Sequence, residues 1–185
     1  MSIEALRAAL PAYARDLATN LKVLSEETVL TDQAKWGCFV ASAHAVGEPS
    51  TPRAIETAAL AAGVSPEAIE AAKTASAVMA MNNVYFRALH LMAAPEYRDL
   101  PSRLRMNRPS RPGVPAVDYE LWCLAVSAIN GCGACLDSHE AELRERGVSS
   151  VQIQAVLRIA AVVNAVGRVL AAEFSAVPGN GAFEP

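Results

Sequence analysis

The sequence predicts an all-α fold, and three observations lead to it. Apolar residues recur at spacings of three and four along almost every segment, where a half-buried strand would alternate. Hydrophobic residues make up 52% of the 185 positions while aromatic residues make up only 5%. That share is carried by alanine and valine, small side chains suited to closely packed helices, alanine also being the best helix former. Helix-start residues (Ser, Thr, Asp) and helix-stop glycines punctuate the chain at intervals of helical length.

Taken in order, Ser2 caps a first helix expected to reach about Asn20, with Leu6, Leu10, Tyr13 and Leu17 on one stripe. Thr31 or Asp32 opens a second helix through Trp36, Phe39, Val40 and Ala43, ending near Gly47-Glu48-Pro49. Thr51-Pro52 starts a third, with proline in the first turn where its missing N–H is not needed, and Gly63 stops it. Ser65-Pro66-Glu67 begins a long helix through Ile69, Ala72, Ser76, Met79 and Val84, as far as Met92. Residues 95–115, with five prolines and several arginines, read as a connector. Helices resume from about Ala116 to Ile129, break at Asn130-Gly131, run again from about Cys132 to Arg146, and finish after Gly147-Val148-Ser149-Ser150 in a last helix ending near Phe174. The tail, residues 176–185, is expected to be disordered.

The helices also repeat. Gly63-Val64-Ser65-Pro66-Glu67-Ala68-Ile69 aligns with Gly147-Val148-Ser149-Ser150-Val151-Gln152-Ile153, and the register holds through Ala75–Val78 against Ile159–Val162. Upstream, Trp36 and Val40 match Trp122 and Val126 with a two-residue offset. The expectation is one domain over residues 1–175, built from related units at about 32–92 and 116–174. Chance similarity between alanine-rich helices is the other explanation. In the repeat, Val46 and Pro49 stand where the second unit has Cys132 and Cys135, which leaves chemistry to the second half.

A net charge of −3 and the lack of a basic stretch argue against nucleic acid as a partner. The first residues lack the basic-then-apolar layout of a signal peptide, and charged or amide residues interrupt the apolar runs before the ~20 residues of a membrane span. The expected location is therefore the cytoplasm, away from membranes. Reducing thiol buffers there keep structural disulfides open, so a close cysteine pair points to redox catalysis or to metal.

That pair is Cys132-Gly-Ala-Cys135, followed by His139 and preceded by Glu120. Cysteines three apart in the first turn of a helix lie within disulfide reach, and the helix N-terminus lowers a thiol pKa through its free N–H groups and macrodipole. His139 falls four residues after Cys135 and seven after Cys132, on one helical face. Its imidazole is placed to take and return a thiol proton, and a carboxylate from Glu120 on the preceding helix would fix its tautomer. Zinc is the competing use of such a pair. Structural zinc wants four ligands, and beyond the pair the chain offers only Cys38, Cys123, His44, His90 and His139, with no second pair. No metal or bound cofactor is expected. Cys38 and Cys123 read as buried packing residues, and Asn82-Asn83 as packing or a local kink.

At these residues the chain resembles the alkyl hydroperoxidase D (AhpD) family, within the wider carboxymuconolactone decarboxylase-like superfamily. The resemblance covers nearly the whole chain: Met1-Ser-Ile-Glu, Ala8–Ala14, Met79-Ala-Met-Asn-Asn-Val-Tyr-Phe-Arg87, Leu104-Arg-Met-Asn107 and Glu120–Cys132. It implies an all-helical duplicated fold, a homotrimer, reduction of the disulfide of a partner peroxiredoxin (AhpC) and a weak peroxidase activity towards hydroperoxides. It further implies electrons from a dihydrolipoyl group on an acyltransferase component, or a similar dithiol donor. By position, Cys132 and Cys135 match the family's redox pair, with Cys135 the attacking thiol, and His139 and Glu120 match its proton relay. One departure stands out: many relatives carry a histidine where this chain has Ala134, which removes one contributor to thiol activation. Two rival readings remain at this stage. One is a decarboxylase or isomerase of the superfamily using histidine and acid without thiol turnover; the other is a non-catalytic module whose cysteines sense oxidation.

Overall fold

Capping side chains open the helices where the sequence places them. Ser2, Thr31 and Ser65 each accept a backbone N–H three residues on, from Ala5, Ala34 and Ala68, all at 3.2 Å. The computed structural model describes residues 2–106 and 114–176, and among these every regular element is helical. The helices are α1 (Ile3–Ala8), α2 (Arg15–Ser25), α3 (Asp32–Val46), α4 (Ser50–Ala61), α5 (Pro66–Leu91), α6 (Glu96–Asp99), α7 (Ala116–Ile129), α8 (Gly133–Glu145) and α9 (Ser150–Ala176).

The expected first helix to Asn20 is broken in two. Pro11 has no N–H to continue the ladder and turns the backbone to an extended ψ of 164°, after which one 3-10 turn, Ala12–Ala14, leads into α2. The restart rotates the stripe. Leu6 stays buried and Leu21 and Leu24 become the buried residues of α2, whereas Tyr13 is 72% exposed. Its hydroxyl donates instead to Glu173 on α9 at 2.6 Å. The connector holds the short helix α6; its residues 107–113, like the tail beyond 176, lie outside the described residues.

Two helices form the centre. α3 and α7 pack on each other, and each also packs on α5 and α9. Residues 34–43 and 118–127 are buried without interruption, so these helices are enclosed on every face. Their close approach depends on Gly37. A Cβ there would fall 2.1 Å from Trp122 Cε2, and its absence lets the fully buried indole lie against the α3 backbone and donate from Nε1 to the Ala34 carbonyl at 3.1 Å. Outside this centre, α1 packs on α2 and α4, α2 on α9, and α8 on α7 and α5. Of the described helices, α9 alone has the length and apolarity to cross a membrane; its buried residues pack on α3 and α7.

The turn from α3 to α4 is closed by Glu48. Its carboxylate accepts from the backbone N–H and the hydroxyl of both Ser50 and Thr51, at 2.5–2.8 Å. Burial alone would raise its pKa, but the Thr51 hydroxyl and the other donors outweigh that and hold it below the ordinary glutamate value.

Candidate active site

The site is built on the junction of α7 and α8. α7 ends as the Gly131 and Cys132 N–H groups bond back to the Ala128 and Ser127 carbonyls at 3.2 and 3.1 Å. Gly131 takes a φ of 64°, a left-handed conformation that a side chain would resist. Cys132 then stands at the N-cap of α8, its carbonyl accepting the Leu136 N–H at 2.9 Å, and Cys135 falls in the first helical turn.

The two sulfurs are joined, with Cα atoms 5.2 Å apart. Their environments differ: Cys132 is fully enclosed, while Cys135 lines an open cleft of about 480 Å³. One wall is α8, with Ala134, Cys135, Ser138 and His139; the other is the face of α5 with Met79, Asn82, Phe86, Leu89 and His90, with Arg98 of α6 alongside. When the pair is reduced, the free N–H groups of α8 favour a thiolate at this position.

Glu120 and His139 come from different helices and meet. Glu120 Oε2 lies 3.4 Å from His139 Nδ1, with both side chains largely buried. Glu120 is thus an interior carboxylate behind the imidazole, and His139 stands between it and the cleft that Cys135 lines. All four residues singled out from the sequence, Cys132, Cys135, His139 and Glu120, converge on this junction.

Sequence reasoning missed the part played by α5. Asn83, fully buried, donates from Nδ2 to Ser127 Oγ at 2.9 Å and accepts from Asn130 Nδ2 at 3.0 Å. Arg87, one turn on, donates to the Asn130 carbonyl. These bonds tie the C-terminal turn of α7 to α5 and so hold the loop that delivers Cys132. Asn82 faces another way, into the cleft, and its buried Oδ1 has no hydrogen-bond partner. A buried carbonyl left so costs roughly 1–3 kcal/mol. The available signal was two adjacent amides within an apolar helical run, because buried polar residues need a reason to be there.

Cys38 and Cys123 are enclosed between the central helices. Burial, then the neighbouring Asp118 and Cys123, push the Cys38 thiol well above its ordinary pKa, so it stays protonated and unreactive. Among the described residues no group of three or more His, Cys, Asp or Glu is placed to hold a metal ion.

The model of the carboxymuconolactone decarboxylase family matches residues 95–176, the segment that contains Glu120, Cys132, Cys135 and His139. Over nearly its full length the chain is similar to proteins named alkyl hydroperoxide reductase AhpD. That of Caulobacter vibrioides is 64% identical over 180 residues, covering 97% of this chain and 98% of its own. That of Hyphomonas neptunium is 60% identical over 173 residues (94% and 96%), and that of Streptomyces avermitilis 51% over 173 residues (94% and 97%). The chain belongs to the AhpD family. Membership of that family, together with the closely spaced Cys132–Cys135 pair, makes the protein a redox-active enzyme with an antioxidant role.

Proposed function

We propose that this AhpD-family protein is a thiol-dependent alkyl hydroperoxide reductase and disulfide reductase, with Cys135 as attacking thiol, Cys132 as resolving thiol, and His139 and Glu120 as proton relay. The observation that carries the reading is the asymmetry of the pair: Cys135 opens on the cleft beside His139, and Cys132 is sealed behind it.

In the oxidative half, the Cys135 thiolate attacks the terminal oxygen of a hydroperoxide. An S–O bond forms as the O–O bond breaks, sulfur is oxidised to a sulfenic acid, and His139 protonates the departing alkoxide to an alcohol. Cys132 attacks the sulfenic sulfur, releasing water and forming the disulfide. Against an oxidised peroxiredoxin (AhpC-like), Cys135 instead attacks a partner sulfur to give a mixed disulfide, and Cys132 releases the reduced partner. In the reductive half, a dihydrolipoyl group on an acyltransferase component, or another dithiol donor, attacks the Cys135 sulfur from the cleft. Cys132 leaves as the thiolate, and the donor's second thiol then frees Cys135. Glu120 behind Nδ1 holds the imidazole with Nε2 available for the exchanged proton. No bound cofactor enters the cycle.

The same reading places the protein in the cytoplasm as a homotrimer. It also takes residues 1–175 as one domain of two related units, which is supported by the pairing of α3 with α7 and by matching left-handed turns at Gly63 and Gly147 (φ 84° and 83°).

The test is steady-state reduction of cumene hydroperoxide with dihydrolipoamide as donor. Wild type turns over, and Cys132→Ser and Cys135→Ser each lose at least about a hundredfold, since either half of the cycle then stalls. Undiminished variants would move the reading to non-redox chemistry of the superfamily; slow, stoichiometric oxidation without turnover would move it to a sensor.

A further inference from the structure

Asn82 and Asn83 are neighbours on α5, both buried and both amides, yet only one is consumed by the fold. Asn83 spends both ends of its carboxamide on Ser127 and Asn130. Asn82 is 8% exposed, its Oδ1 has no partner, and it lines the cleft shared with Cys135 and His139. The spacing explains the split. Met79, Asn82, Phe86 and Leu89 form the stripe of α5 that faces the cleft, whereas Asn83 and Arg87 form the next stripe round, which faces the end of α7. Along the cleft stripe Asn82 is the one polar side chain until His90, set between the apolar Met79 and Phe86. A buried acceptor without a protein donor, kept on the wall of a reactive cleft, is what a site built for a hydroxyl-bearing ligand requires.

We propose that Asn82 accepts the O–H of the hydroperoxide, and that it raises the reactivity of Cys135 towards hydroperoxides relative to disulfides; the inference rests on the peroxidase reading above. The terminal oxygen of ROOH carries the only proton on the reacting group. With that proton directed at Asn82 Oδ1, the same oxygen presents its O–O bond to the sulfur on the facing helix. The S–O bond then forms on the oxygen Asn82 holds, the O–H stays with the sulfenic acid, and the alkoxide leaves towards His139, which protonates it. A disulfide oxidant has no O–H to offer, so it gains nothing from Asn82. The residue is therefore specific to one of the two oxidants that share Cys135.

The experiment compares two rate constants on the pre-reduced protein: oxidation by cumene hydroperoxide and oxidation by lipoamide disulfide, each followed by alkylating and counting the remaining thiols. Asn82→Leu keeps the side-chain size and removes the acceptor. The expected result is a ratio of hydroperoxide to disulfide rate at least about tenfold below that of wild type, the loss concentrated in the hydroperoxide reaction. The ratio decides, because a general disturbance of Cys135 slows both reactions together. An unchanged ratio with an active wild type overturns the role of Asn82 and leaves the peroxidase reading standing. A wild type inert to cumene hydroperoxide overturns both. Asn82→Ala supplies the same ratio should the leucine variant fail to fold.

Discussion

Replacing Glu120 by glutamine keeps the size of the side chain and removes its charge, 3.4 Å from His139 Nδ1. At that separation and an effective dielectric constant of about 20, a carboxylate attracts an imidazolium by about 5 kcal/mol. A glutamine carbonyl accepting from the same ring N–H restores about 2–3 kcal/mol as a hydrogen bond to a charged group. Passing a proton from the Cys135 thiol to His139 is therefore less favourable in the variant by about 2–3 kcal/mol, which is about 30- to 150-fold. Any step in which His139 gives its proton to a leaving alkoxide slows by that factor, whereas stability stays level or rises slightly because an interior carboxylate is removed. Single-turnover oxidation of the reduced protein by cumene hydroperoxide, measured from pH 5 to 9 beside a urea melt, separates the two effects. A variant within threefold of wild type at every pH would refute the relay and leave the α8 N-terminus as the activating element.

Two further predictions concern the scaffold. Gly37→Ala pushes a methyl onto the Trp122 indole, and the overlap together with the strained or lost bond to the Ala34 carbonyl is expected to cost about 2–5 kcal/mol after the better helix propensity of alanine is credited. A thermal melt should show it as a fall of roughly 5–15 °C, and a fall under 2 °C would mean that α3 and α7 do not meet as described. Glu48→Gln is expected to lower stability at neutral pH. Because the carboxyl is depressed in the folded state, its contribution is fully present above the ordinary value of 4.5 and disappears as pH falls through the depressed one. Denaturation curves of the two proteins should therefore converge in acid, and a gap that persists unchanged well below pH 4.5 would contradict the bonding at Ser50 and Thr51.

Much of this architecture can be read locally. The caps at Ser2, Thr31 and Ser65, the break at Asn130-Gly131 and the cysteines at a helix start all depend on interactions within a few residues, which spacing reveals. Pro11 is a local signal as well, but the stripe of Leu6, Leu10, Tyr13 and Leu17 runs through it and masks it, and the cost of proline in a helix interior decided the outcome. What spacing conceals is which faces meet. That Glu120 approaches His139 depends on how α8 folds back on α7, and a glutamate in the first half of a helix looks the same from its neighbours whether buried or solvated. Asn82 and Asn83 read as packing because their distinction lies with groups more than forty positions away: Ser127 and Asn130 for one, Cys135 and His139 for the other.

The sealing of Cys132 has a kinetic consequence. On the proposed cycle, with Cys132 enclosed and Cys135 lining the cleft, an oxidant and a dithiol contest one mouth, and the two half-reactions alternate as a ping-pong cycle. Raising either substrate then fills the mouth of the form that cannot use it, and each becomes a competitive inhibitor of the other. Flux through such an enzyme peaks at an intermediate balance of donor and oxidant, which makes its throughput a reading of the redox poise around it.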